Sequence, residues 1–201
     1  MIMLQNCIAL INCYNSEEYL WYVLKSIYDF PRLIVIIDGA YSAKMPSHYS
    51  TDNTQKIVKG FPDPEKKIIY ERTWSPTQKE QRSKGLPYLE PDDWLLLVDD
   101  DEVYKKEDLK RLADFLTSGE AKKDNYKVGS YTFFNSFGWW RYIQDPRLFR
   151  YKPGMAFIGS NNITWDNGKQ KYGGILSVPG VVRYHYSYVR DNKRIKIREI
   201  Q

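Results

Sequence analysis

The sequence predicts a single α/β domain built on a mixed, mostly parallel central sheet flanked by helices. Three observations carry this. Short, continuously apolar β-rich runs alternate with amphipathic helical stretches through the first half of the chain. Such strands are buried on both faces, as parallel sheets require. The chain has 201 residues, about the length of one domain, with 42% hydrophobic and 27% charged residues, the balance of a folded globular protein.

The elements follow in order. Cys7–Ile11 reads as the first strand. Asn15 with Glu18 three residues on resembles a capping box, and Tyr19, Leu20, Val23, Leu24 and Ile27 recur at helical spacing. Leu33–Ile37 is a second buried strand, closed by Asp38-Gly39. Thr51 or Asp52 opens a short helix through Val58, stopped by Gly60. Lys67–Tyr70 is a third strand, followed by a helix around Gln78–Leu86. Trp94–Val98 is the fourth strand, and Lys105–Leu116 an amphipathic helix ended by Gly119. Residues 127–189 change character, with aromatics, glycine and short β runs at Val128–Phe134, Arg147–Tyr151, Ile175–Val178 and Val181–Tyr188. No linker separates the halves, so residues 1–120 are expected to bind one substrate and residues 121–189 the other.

Composition excludes several classes. The net charge of +5 suggests nucleic acid until it is located. Arg190, Lys193, Arg194, Lys196 and Arg198 against Asp191 and Glu199 place most of it in residues 190–201, a basic C-terminal helix or a linker into a further domain. No basic stripe crosses the body, and no nucleic-acid partner is expected. The apolar runs are too short to span a bilayer, and no basic start precedes the first of them, so a cytoplasmic location is expected. An extended strand would hold Cys7 and Cys13 about 20 Å apart, beyond disulfide reach.

The chemistry centres on Asp99-Asp100-Asp101-Glu102, four carboxylates directly after an apolar strand. That places them at the C-terminal edge of the sheet, where open α/β folds bind ligands. Like charges this close repel unless a cation neutralises them, and hard oxygen ligands suit Mg²⁺ or Mn²⁺. The plainer reading is an acidic turn complementing the dipole of the next helix. Asp38 repeats the arrangement on an earlier strand, either as an acceptor for a base or ribose group or as a simple Asp-Gly turn.

This order of motifs resembles the family-2-like glycosyltransferases of the GT-A fold, over nearly all of residues 5–120. The matching stretches are Ala9–Asn15 with Glu17–Leu20; Ile36–Gly39 with Ser50–Thr54; then Trp74, Gln81–Gly85 and Asp93-Trp94 leading into Asp99–Glu102. The resemblance implies a metal-dependent transferase moving a sugar from a nucleotide-diphosphate donor, a UDP-sugar first, to a glycan or other hydroxyl acceptor with inversion. It implies that Tyr14 stacks on or borders the nucleobase, that Asp38 binds its edge and that Asn12 belongs to the nucleotide-sugar site. Arg72 or Arg82 would lie near the diphosphate, and Asp99 and Asp100 would contact the nucleotide sugar. Asp101 and Asp99, with a late His185, would hold Mn²⁺ or Mg²⁺. Plainer readings make Arg72 and Arg82 surface cations, Tyr14 a loop-packing residue and His185 a core histidine. His48 reads as exposed. The residue between the outer acids is Asp100, where the family has a small residue. The catalytic base would come from the second half. The candidates are Asp166, beside Trp165 as a sugar platform, and Asp145, which before Pro146 also reads as a turn former. Two other classes stay open: a two-metal nucleotidyl or phosphoryl transferase, and a non-catalytic carbohydrate-binding module.

Overall fold

The computed structural model describes residues 3–165 and 175–189. Asp166 and the basic tail at 190–201 lie outside them. Among the described residues, ten strands and four α-helices follow one another as β1 (Leu4–Cys13), α1 (Leu20–Ile27), β2 (Pro31–Asp38), α2 (Thr54–Gly60), β3 (Ile68–Arg72), α3 (Gln78–Ser83), β4 (Trp94–Asp99), β5 (Glu102–Tyr104), α4 (Lys106–Thr117), β6 (Asn125–Phe134), β7 (Ser136–Arg150), β8 (Ala156–Phe157), β9 (Ile163–Thr164) and β10 (Leu176–Tyr188).

One sheet runs through both halves of the chain in the order β3-β2-β1-β4-β7-β6-β10-β5. The strands β3, β2, β1 and β4 are parallel, β7 is antiparallel to β4 and β6, and β10 runs parallel to β6. The apolar runs of β1, β2 and β4 arise because both of their faces are covered. Cys7, Ala9, Ile11, Ile34, Ile36, Leu96 and Val98 pack beneath Leu20, Val23, Leu24 and Ile27 of α1 and Leu109 and Leu112 of α4. Ile8, Leu10, Val35, Ile37, Leu95 and Leu97 face Phe149, Met155, Phe157 and Ile163 on the other side. Period-two alternation along strands sends successive side chains into these two layers. Cys7 and Cys13 are both free and buried.

Several expected boundaries move. The capping box at Asn15 and Glu18 does not form. Asn15 adopts φ 52° and spends its side chain on the Thr51 N–H at 2.8 Å, so α1 starts only at Leu20 without a side-chain cap. A side-chain N-cap forms later, where Thr77 Oγ1 accepts from Glu80 N and donates to Glu80 Oε2 at 2.8 Å. The helix expected over Gln78–Leu86 ends at Ser83, and a 3₁₀ turn at Leu86–Tyr88 takes over at Pro87. The two runs after residue 174 are one strand, β10. The expected turn at Asp145-Pro146 is strand: both residues lie in β7, paired with Val128 and Lys127.

Close approach explains one glycine. A Cβ on Gly39 would sit 2.2 Å from the Thr73 carbonyl oxygen, so only glycine lets the chain turn directly after Asp38.

Candidate active site

The ends of β1–β4 deliver two groups of side chains. At the ends of β2 and β3, Asp38 is fully buried. Its Oδ1 accepts from the Ser50 N–H at 3.3 Å and the Ser50 hydroxyl, and its Oδ2 from Tyr70 at 2.5 Å and Arg72 Nε at 3.3 Å. Arg72 also donates to the Ser50 carbonyl and lies over the Tyr49 ring. Tyr14 is buried and donates to the Ser47 carbonyl at 3.0 Å. Asp38 therefore anchors the 40–50 segment, and a base edge reaching it must displace one of these donors. His48 is exposed, as expected, and stacks on Trp74.

The second group gathers where β4 leaves the sheet. Asp99 receives Arg82 Nη2 on Oδ1 and Arg147 Nη2 on Oδ2, both at 2.7 Å. Glu102, fully buried at the start of β5, receives Arg147 at 2.9 Å and Arg183 Nε at 2.7 Å on the same oxygen. Its other oxygen accepts from the Asp99 N–H at 3.2 Å. Arg183 continues to Asp145 Oδ2 at 2.5 Å. Asp101 is fully buried and pairs with His185 Nε2 at 3.2 Å, with Ser187 donating to its Oδ2 at 3.2 Å. Asp100 turns away, its carboxylate accepting from the Ser16 hydroxyl in the loop after β1.

The structure brings Asp99, Asp101, Arg82 and His185 to one place and Asp38, Arg72 and Tyr14 to another, so of the two arginines expected near the diphosphate only Arg82 lies with the acids. Sequence reasoning missed Arg147 and Arg183 and gave Glu102 no role of its own. The acids were expected to need a metal to offset their repulsion; three guanidinium groups offset it at Asp99 and Glu102, while Asp101 pairs with His185 and Asp100 with Ser16. Asp145 is a partner of Arg183 and not a turn former. Asn12 lies on β1 opposite Asp99, with its buried Nδ2 lacking an acceptor. Trp165 packs against the core with Lys152 over its ring, so the sugar platform expected there has one face covered. The two most exposed aromatics among the described residues are instead on β7, where Trp139 is 77% and Phe137 65% accessible.

The electrostatics follow from burial and partners. Burial alone would raise the Asp99 carboxyl, but Arg147 and Arg82 hold it far below the usual carboxylate range. Glu102 is likewise raised by burial, yet ends below its ordinary value because of Arg147 and Arg183. Burial lowers His185, and Asp101 outweighs it and raises the imidazole above its ordinary value. The signs give a stability window for the metal-free protein. The depressed carboxyls contribute above the ordinary carboxylate range and lose that contribution as pH falls through their lowered values. The raised His185 contributes fully below about 6.5 and loses its contribution as pH rises through its elevated value. Thermal unfolding in chelator should therefore decline on the alkaline side of that point, and His185→Asn should flatten the decline. Parallel curves for the two proteins would remove the His185–Asp101 pair from the account.

Asp99, Glu102 and His185 each offer a ligand atom, all within 4.8 Å of one another. Two carboxylate oxygens and an imidazole nitrogen make a donor set that suits a divalent ion of the Mn²⁺ class. Glu102 joins Asp99 and His185 in this group, and Asp101, the expected ligand, pairs with His185 Nε2 beside it. No helix among the described residues is long and apolar enough to cross a membrane.

A family model described as Glycosyl transferase family 2 matches residues 9–169. Among solved structures, S. aureus TarS is similar with a TM-score of 0.46 and 23% identity, over 64% of this chain and 22% of that one. A structure titled S. aureus TarS 1-349 gives 0.44 and 22% over 64% and 36%. A 4-diphosphocytidyl-2C-methyl-D-erythritol synthase gives 0.46 and 15% over 73% and 76%. The chain spans about a fifth to a third of the TarS chains. No curated protein matches it.

Proposed function

Because this chain belongs to glycosyl transferase family 2, we propose that it transfers a sugar from a nucleotide-diphosphate donor, a UDP-sugar, to an acceptor hydroxyl in the cytoplasm, by a single inverting displacement. The observation that supports this reading is the meeting of Asp99, Glu102 and His185 at the C-terminal edge of the parallel strands. They are the residues that would hold Mn²⁺ or Mg²⁺, and Asp101 would orient His185 among them. The ion, when bound, supplies positive charge to the departing diphosphate.

The chain's own residues do the rest. Arg82 and Arg147 carry fixed positive charge into a buried site, where it acts on developing phosphate charge far more strongly than in water. Asn12 offers its unpaired amide N–H beside Asp99. Asp38, Tyr14 and Arg72 frame the base side, and Asp100 keeps the loop after β1 in place through Ser16. In the reaction the acceptor oxygen bonds to the anomeric carbon while the bond from that carbon to the phosphate oxygen breaks. The leaving nucleotide takes the electron pair, and a carboxylate takes the acceptor's proton. Asp166 is the base we favour, since Asp145 already shares its charge with Arg183.

Nucleotide release measured across a panel of nucleotide sugars, with and without Mn²⁺, tests the reading. Acceptor-dependent UDP release is the expected result. Release of sugar 1-phosphate would point to nucleotidyl transfer, release of a nucleoside monophosphate to phosphoryl transfer, and binding of glycans without turnover to a carbohydrate-binding module. Asp166→Asn should lower turnover by at least ~10²-fold, the scale of a lost general base, with UDP affinity little changed. If Asp145→Asn is dead while Asp166→Asn is active, the two carboxylates exchange roles.

A further inference from the structure

The geometry points to Arg147 as an internal occupant of the divalent-ion site: its guanidinium bridges two of the three donor residues, leaves when the ion binds, and turns to the donor's diphosphate. This rests on the metal-dependent reading above. The bridge is direct. One nitrogen, Nη2, contacts Asp99 Oδ2 at 2.7 Å and Glu102 Oε1 at 2.9 Å, and both residues belong to the metal-capable group. A divalent ion held by these two carboxylates competes with the guanidinium that now bridges them, and two cations this close repel strongly.

The three arginines around the acids are not equivalent. Arg183 is fully buried and held on several sides, by Glu102, by Asp145 and by the Val128 carbonyl at 2.7 Å. Arg82 is tied to Asp99 and to the 160–161 loop through the Ser160 carbonyl and Asn161. Arg147 is as deeply buried, yet two of its three nitrogens, Nε and Nη1, have no acceptor. Buried guanidinium N–H groups without partners are costly, and they suit a group whose full set of acceptors arrives with a ligand. A diphosphate supplies such acceptors in the forked geometry that a guanidinium matches. Ion entry and donor binding are then coupled, since each favours the position of Arg147 that the other requires.

Mn²⁺ binding, read from loss of the aqua-ion EPR signal in the absence of nucleotide, tests this with wild type, Arg147→Met and Arg147→Lys. Circular dichroism confirms that each variant is folded. Lysine keeps the charge where methionine does not, so Arg147→Lys decides the matter if Arg147→Met fails to fold. Removing the competing cation should tighten Mn²⁺ binding by at least about tenfold in Arg147→Met. Arg147→Lys, a point charge that bridges poorly, should lie between the two. With Mn²⁺ saturating, UDP affinity by calorimetry should fall by about tenfold or more in Arg147→Met. Wild-type Mn²⁺ affinity in both variants would overturn the displacement and leave the metal reading intact. Unchanged UDP affinity would overturn the diphosphate role. No Mn²⁺ binding by any of the three proteins would overturn the metal reading and this inference with it.

Discussion

Glu102→Gln is expected to destabilise the protein by about 3–5 kcal/mol, the scale of a buried ion pair broken on one side. Glu102 is fully buried, and a single carboxylate oxygen serves two guanidinium groups at 2.7 and 2.9 Å. Glutamine keeps the volume, so no cavity forms and the loss reports charge. Arg147 and Arg183 are left facing each other with half their compensation gone, and one end of the new amide presents N–H groups to donors. Urea unfolding should show a lower midpoint at an unchanged slope. Asp145→Asn is the natural comparison, because that carboxylate is partly exposed and touches Arg183 alone among the arginines. A loss under about 1 kcal/mol for Glu102→Gln, the range of surface pairs, would mean that these arginines do not depend on it.

Asp99→Asn is expected to reduce turnover by on the order of 10²–10³-fold, the scale of losing one electrostatic element of a preorganised site. Each of its oxygens holds a different arginine, and the same side chain offers a metal ligand. The amide keeps one acceptor and turns the other into a donor aimed at a guanidinium. Kinetics run well below the variant's own melting temperature separate lost chemistry from lost fold. Turnover within a few-fold of wild type would remove Asp99 from the catalytic machinery.

The sequence made the first half of the sheet legible because β1, β2 and β4 are covered on both faces and read as unbroken apolar runs. The second half was read in fragments for the opposite reason. Residues 136–142 of β7 are exposed, so its pattern is interrupted by Trp139, Arg141 and their neighbours, and only its buried end was recognised. Gly180 at φ 65° split β10 into two apparent strands. At the site, four adjacent acids announced themselves, whereas their countercharges did not. Arg147 and Arg183 each sit singly inside β runs that read as ordinary strand. The signal was present: a lone arginine among apolar or alternating strand residues must be buried or paired, and the unbalanced acids after β4 were the evident partners. Asp38 was found by its place at a strand end, but its four donors come from Ser50, Tyr70 and Arg72, whose convergence only the folded chain reveals.

The separation of these charges along the chain also dictates an order of assembly during synthesis. Glu102 and Arg183 stand 81 positions apart, and Asp99 and Arg147 48. A ribosome delivers all four acids long before either of those arginines emerges. Until then the carboxylates repel one another and hold water, which opposes premature closure of the β4–β5 turn. The parallel strands β1, β2 and β4 can meanwhile pair with one another and pack on α1 and α4, while their other face waits for Phe149, Met155, Phe157 and Ile163. Strand β10 then arrives last, flanked by β6 and β5, and brings Arg183 and His185 with it. The nascent protein therefore carries a half-covered scaffold whose acidic end stays hydrated and open until β10 docks.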